Sequence, residues 1–377
     1  MTQTTSGMFD RIQRPTLLLN SAIAQENIHR IAIKAREQGV RFRPHFKTHQ
    51  SAVIGEWFRS EGVTAITVSS VEMAQYFAQA GWYDITLAFP VNWRQIESLG
   101  VLSRQIRLGL LVESPETVQF LGERLDSPVD LWFKVDTGNH RTGLPWDQPA
   151  AFCQLAAQVF NYSNLHLRGL LTHAGNTYNA RGAVQVCQLY LQSLDRIIAV
   201  QRALEGAGFR GIQISVGDTP STSLCPTFGP VDEIRPGNFI FYDAQMLNVG
   251  ACTSNQIAVT LACPVVASHP ERSEVVVYGG AIHLSKDFVR EGDQMHYGLV
   301  ALPQGDGWSA PLPGAWVRSL SQEHGMIHIP PEDFSRIRVG DILSILPAHS
   351  CLTVQVMGEY LTLQGEVIPT LNRQPMA

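Results

Sequence analysis

Arg41-Phe42-Arg43-Pro44-His45-Phe46-Lys47-Thr48-His49 is the stretch on which the fold turns. It reads as a short strand that delivers one lysine, with a histidine two positions away on each side. An open doubly wound sheet needs a Gly-rich phosphate turn after its first strand, and Lys47-Thr48-His49 stands there instead. A closed (β/α)8 barrel has no such requirement. It turns the residues just past its strands toward one common mouth.

Outward from this stretch the chain keeps the rhythm that a barrel demands. Before it, an apolar run at Pro15–Asn20 precedes a helix from about Ser21 to Gln38, which Gly39 stops. After it, Ala65–Ser69, Ile85–Phe89, Ile106–Val112, Leu131–Val135, Leu167–Thr172, Ile212–Val216 and Val231–Ile234 read as short buried strands. Segments near 50–60, 71–80, 92–100, 114–124, 148–160 and 182–207 between them have helical spacing. From about Asn255 the helical period fades. Strand-like runs at Ile257–Leu261, Glu274–Tyr278, Trp316–Leu320, Ile342–Leu346 and Thr353–Met357 alternate with Pro/Gly turns. The expectation is an α/β chain: a (β/α)8 TIM barrel over 20–254 and a β-rich domain over 1–19 and 255–377.

Charged residues are 16% of the 377, against roughly 25% in average domains, so a buried subunit surface is expected. A net charge of −5 without a basic cluster argues against nucleic acid as a partner. No apolar run reaches the ~18 residues of a membrane span, and the polar start Met1–Asp10 lacks a signal-peptide pattern. The six cysteines have no CxxC or framework spacing, and free thiols in a reducing cytoplasm are expected.

Lysine is scarce: Lys34, Lys47, Lys134 and Lys286 are all there is. Lys34 falls on the polar face of its helix, and Lys47 has the most reactive surroundings of the other three. Such an amine can form a Schiff base with an aldehyde cofactor or serve as a base. At other strand ends, Ser215-Val216-Gly217-Asp218-Thr219-Pro220-Ser221-Thr222 and Gly237-Asn238 offer backbone N–H groups and hydroxyls of the kind that hold phosphate. Each is also an ordinary turn. In Lys134-Val135-Asp136-Thr137-Gly138-Asn139-His140-Arg141, Lys134 and Asp136 allow a buried ion pair, whereas Arg141 suits a carboxylate or phenolate. His173 reads as a structural histidine or a base, and Tyr178 as core or site. His349 and Cys351 are placed on a strand, where they would point the same way, yet the spacing alone argues against a metal.

RPHFKTH, KVDTGNHRTG, THAGNTY, SVGDTPSTS, EIRPGNFIFYD and PAHSC, in this order from Pro15 to about Thr353, resemble the D-threonine aldolase and D-serine dehydratase family. That family lies among the alanine-racemase-like, fold-type III pyridoxal-phosphate enzymes. The resemblance implies Lys47 as the Schiff-base lysine. It implies Gly217, Thr219, Gly237 and Asn238 around the cofactor phosphate, and Tyr178 near the pyridine nitrogen. Arg141 would lie near the phenolic oxygen or substrate carboxylate, and His173 joins Lys47 and Arg141 in the catalytic set. It also implies His349 and Cys351 as ligands of zinc or another divalent metal, reversing the reading from spacing.

The implied activity is a lyase acting on D-3-hydroxy amino acids. Dehydration to an oxo acid and ammonia, of the D-serine or D-threo-3-hydroxyaspartate type, is expected first, because the HxC form resembles the zinc-dependent dehydratases. Retro-aldol cleavage of the D-threonine aldolase type is the alternative. A racemase or a non-catalytic cofactor-binding protein are readings from other classes. A cytoplasmic homodimer is expected, with a small D-amino acid as its partner and neither nucleic acid nor membrane.

Overall fold

The computed structural model describes residues 7–373. Residues 1–6 of the polar start, and residues 1–6 and 374–377 of the expected β-rich domain, lie outside the described residues. The chain divides into two compact units. One comprises the chain up to Ile28, Thr48–Val53 and the chain from Asn238 onward; the other comprises His29–Lys47 and Ile54–Gly237.

The second of these is the barrel. Its strands run in the order Arg41–Phe42, Glu233–Ile234, Gln213–Val216, Leu165–Leu171, Val129–Asp136, Arg107–Val112, Asp84–Pro90 and Ile66–Val68, all parallel. The ring closes through a parallel bridge between His45 and Thr67. There Thr67 N donates to Pro44 O at 2.9 Å and Phe46 N to Thr67 O at 2.8 Å. The eight-stranded barrel read from the sequence is therefore the fold. The strand through Lys47 is shorter than expected, ending at Phe42. Pro44 has no N–H for a ladder, so the chain continues past it through a bridge and a turn.

Phe46 is the anchor of that turn. Its buried ring packs at 4.9–5.1 Å, centroid to centroid, on Phe58, Phe77 and Trp82. Each such aromatic pair adds roughly 0.5–1.5 kcal/mol beyond burial, so the backbone beside Lys47 is held from below. Opposite lies a buried relay. Arg43 Nε donates to Glu233 Oε2 at 2.8 Å, Ser215 Oγ to Glu233 Oε1 at 2.7 Å, and Arg235 Nε to Ser215 Oγ at 2.6 Å. It ties three neighbouring strands together, and removing one charge would strand the others, at roughly 3–5 kcal/mol.

The other unit carries an antiparallel sheet. Val259–His269 pairs with Ile342–Pro347 on one side and, past a register shift at Val265/Ala267, with Glu274–Tyr278. His324–His328, Trp316–Leu320 and Gly298–Ala301 complete a closed β-barrel. The isolated N-terminal run forms strand Thr16–Leu19, which pairs antiparallel with Val259–Ala262 and parallel with Leu361–Thr362.

Three local expectations are corrected. Thr353–Met357 is not a strand but the end of helix Ser350–Met357, closed by Gly358 at φ 74°. Its β-branched Thr353 and Val354 are buried while Val356 is exposed, and packing outweighs propensity. The cysteines are not all free: Cys187 and Cys225 form a disulfide, 38 residues apart in sequence. Lys34 does not sit on a solvated face either. Its Nζ donates to the carbonyls of Thr222 (2.7 Å) and Cys225 (2.6 Å), and burial lowers its pKa to about 8.

Candidate active site

In the barrel unit, buried Phe46 beneath the turn leaves Lys47 exposed at the end of the first strand segment. The Lys47 backbone N–H points at His45 Nδ1, 3.4 Å away, so this nitrogen serves as an acceptor. His173 Nδ1 lies 2.5 Å from the Gly217 carbonyl oxygen, which can only accept, so here Nδ1 carries the proton. Both imidazoles are held neutral. Burial, then the charges of Lys47 and Arg141, lower His173 to about 3. Burial followed by Lys47, Arg235, His173 and Arg141 brings His45 well below the usual histidine value. Lys47 and Arg141, 126 and 32 residues from His173 in sequence, thus both act on its charge.

Lys134 contributes to the same field. It is 6% exposed, donates to Val135 O at 2.9 Å, and has a pKa lowered to about 7 by burial and then by Arg235 and Arg141. The ion pair with Asp136 is not formed among the described residues. Asp136 Oδ1 instead accepts the N–H groups of Gly138, Asn139 and His140 at 2.9–3.0 Å, shaping the loop that leads to Arg141.

A second group of expected residues meets beside His173. Gly217 must be glycine, because a Cβ there would stand 2.9 Å from the Arg235 carbonyl oxygen. Asp218 then caps the short helix Thr219–Leu224, accepting from Ser221 N (2.7 Å) and Thr177 Oγ1 (3.0 Å). Thr219 N donates to the Tyr178 hydroxyl at 3.3 Å, which puts Tyr178 beside the cradle residues. Thr219 Oγ1 is buried without a hydrogen-bond partner, whereas the Ser221 hydroxyl, like its N–H, is directed at Asp218. Native interiors rarely tolerate such atoms unless something else satisfies them. A phosphate held here would supply the acceptor that Thr219 Oγ1 lacks, so the residues present fit the cofactor that the sequence implied. Gly237 follows Pro236, whose carbonyl accepts from His45 N at 2.9 Å.

Asn238, His349 and Cys351 belong to the other unit. Asn238 Nδ2 is committed to Asp243 Oδ2 (2.5 Å) and Ser350 Oγ (3.2 Å), so its side chain serves this cluster and only its backbone remains for a phosphate. The strand before the HxC pair ends at Pro347, and His349 sits at the N-cap of helix Ser350–Met357 with Cys351 in its first turn. The expected strand geometry is therefore replaced by a helix start, and the two side chains still meet through a hydrogen bond. His349 Nδ1 donates to Asp287 Oδ2 at 2.6 Å, and the Cys351 thiol lies 3.3 Å from Thr48 Oγ1. Burial opposes a charged imidazole, but Cys351 and Asp287 outweigh it and hold His349 well above its usual pKa. An imidazole whose far nitrogen is held by a carboxylate, facing a thiol, is the chemistry of a soft divalent-metal donor pair. No group of three or more His, Cys, Asp or Glu side chains able to hold a metal occurs among the described residues. A metal here would leave its other positions open.

Residues 19–245 match the family described as "Alanine racemase, N-terminal domain", and residues 258–363 match "Putative serine dehydratase domain". The chain belongs to the alanine racemase-like, serine dehydratase-domain family. Within this family, D-threo-3-hydroxyaspartate dehydratase of Delftia sp. (strain HT23) is 27% identical, over 94% of this chain and 95% of its own length. D-serine dehydratase of Dictyostelium discoideum is 25% identical over 95% of each chain. D-threonine aldolase of Arthrobacter sp is 22% identical over 90% of this chain and 86% of its own. A solved D-threo-3-hydroxyaspartate dehydratase, a cysteine-to-alanine mutant in the metal-free form, superposes with a TM-score of 0.88 at 26% identity, covering 96% of this chain and 98% of that one. The substituted cysteine lies two positions after the histidine replaced in another solved mutant of that enzyme, the same spacing as His349 and Cys351.

Sequence reading did not single out Asp287, Arg235 or Thr48 as parts of the site. Arg235 stood in a quoted motif, so its position at a strand end was the available signal. Asp287 had none, since 62 residues separate it from His349.

Proposed function

We propose that this protein is a pyridoxal-phosphate- and metal-dependent lyase that removes water from a D-3-hydroxy amino acid, giving an oxo acid and ammonia. The family uses pyridoxal phosphate, and the single observation that carries the dehydratase reading is the His349–Cys351 pair, with Asp287 on the far ring nitrogen. Thr48, whose hydroxyl lies against Cys351 Sγ, directly follows Lys47 in the chain. When bound, the cofactor supplies an electron sink for the Cα carbanion, and a divalent metal supplies Lewis acidity for a poor leaving group, hydroxide.

The chain's own residues divide the remaining work. Lys47 anchors the cofactor and moves the α-proton. Gly217, Thr219 and Gly237 would hold the phosphate through backbone N–H groups and the Thr219 hydroxyl. Arg141 binds the substrate carboxylate or the phenolic oxygen. His45 and His173 are kept neutral by burial and by the charges around them. His349 and Cys351 would hold zinc or another divalent metal.

Incubation of the full chain, loaded with pyridoxal phosphate and zinc, with D-serine, D-threonine and D-threo-3-hydroxyaspartate tests this. An oxo acid and ammonia are expected. A chelator should abolish their formation while slow exchange of the α-proton continues. Glycine and an aldehyde as products would replace the dehydratase by an aldolase, the reading favoured by the D-threonine aldolase relative. Full-rate elimination by the chelated enzyme would remove the metal from the mechanism.

A further inference from the structure

We propose that Asp287 is a positioning residue of the metal pair: it fixes the His349 ring so that Nε2, not Nδ1, is the nitrogen offered beside Cys351. The inference rests on the metal-assisted reading above. A carboxylate only accepts hydrogen bonds, so the 2.6 Å contact from His349 Nδ1 to Asp287 Oδ2 places the ring proton on Nδ1. Nδ1 is thereby kept from a metal, which would bind at Nε2 in exchange for the proton there, and the ring's other polar contact is with Cys351.

The backbone around Asp287 is built to hold it there. Ser285, two residues earlier, adopts φ 69° and ψ −177°. That region is essentially reserved for glycine and costs a side chain on the order of 1–3 kcal/mol, a conformation that persists where its surroundings enforce it. Asp287 N donates to Ser285 Oγ at 3.2 Å. Thr353 Oγ1, on the helix that His349 caps, shares its proton between Leu284 O at 3.2 Å and His349 O at 3.3 Å. The two ends of the Asp287–His349 contact are therefore tied to each other by a second bond, independent of the first. An ordinary half-exposed ion pair would have neither this tie nor this strain, and would contribute little. Oδ2 is occupied by the imidazole, so the role assigned to Asp287 is exerted through His349.

Loss of such an outer carboxylate typically weakens metal binding 10–100-fold. Zinc affinity of the full chain, measured by competition with a chromophoric chelator, reads this directly. Asp287→Ala is expected to bind zinc about 10–100-fold more weakly than wild type. Asp287→Asn should also be weaker, because a neutral amide holds Nδ1–H less strongly and also admits the other tautomer. Heat stability of the metal-free proteins and borohydride trapping of pyridoxal phosphate on Lys47 should stay unchanged across the series. Affinities equal to wild type in both variants would overturn the role of Asp287 alone. Should Asp287→Ala fail to fold, Asp287→Asn decides by the same criterion. Wild type holding zinc no better than Cys351→Ala would overturn the metal reading itself, and with it this inference.

Discussion

Among single residues, Lys134 makes the sharpest statement about the barrel interior. Burial favours its neutral amine and lowers its pKa to about 7, against an unfolded value near 10.4. Below pH 7 the folded protein must carry a buried ammonium, a cost fully present there and relieved as pH rises from about 7 toward 10. Lys134→Met should therefore raise thermal stability most at pH 6, by about 1–3 kcal/mol, with the gain shrinking toward pH 10. A gain that is flat with pH, in melting curves recorded across this range, would contradict the assignment. Lys47 carries a different test at the same scale. Reduction of the cofactor-loaded protein with borohydride should fix the label on the peptide containing Lys47, and label on Lys134 or Lys286 would reassign the anchoring amine.

Elements were more legible in the sequence than contacts were. The barrel strands and helices follow from apolar runs of strand length separated by segments of helical period, because each βα unit must bury one face and expose another. The β-rich unit was read less well. Strands such as His324–His328, with His324 exposed and Met326 and His328 half-buried, alternate weakly and carry little periodic signal. Helix Ser350–Met357 was misread because Thr353, Val354 and Val356 are strand formers by type, while the Gly358 cap that ends it acts through a backbone angle. Cys187 and Cys225 could not be paired from spacing, since the contact is made by folding of the Gly182–Gly206 helix onto the end of the Thr219–Leu224 helix. The cradle itself was visible as residue types, but the buried Thr219 hydroxyl without a partner was not. Thr219→Ala should weaken retention of pyridoxal phosphate, measured by dialysis and absorbance. A hydrogen bond to a charged group contributes roughly 1.5–3 kcal/mol, so the loss should be about tenfold or more. Reducing the disulfide, or Cys187→Ser, should lower stability by about 2–4 kcal/mol, read as a fall in melting temperature.

For the molecule as a whole, low charge content leaves much surface without the repulsion that keeps chains apart. A homodimer is the expected species in sedimentation at assay concentration. Full activity from a monomer would count against it. No helix among the described residues is long and apolar enough to cross a membrane.

The way the chain is shared between its units has a consequence for engineering and descent. The β-rich unit is assembled from three separate pieces of the polypeptide, and the division falls between the adjacent residues Lys47 and Thr48. No single cut releases either unit whole. A fragment starting at Asn238 would lack Thr16–Leu19, leaving the edge of Val259–Ala262 bare and prone to pair with other molecules. It would also lack Thr48, the neighbour of Cys351. Exchanging the chain from Asn238 onward between relatives would thus transplant His349 and Cys351 without their surroundings, so recombination within this family should succeed only when the short insert at Thr48–Val53 and the N-terminal strand travel with it.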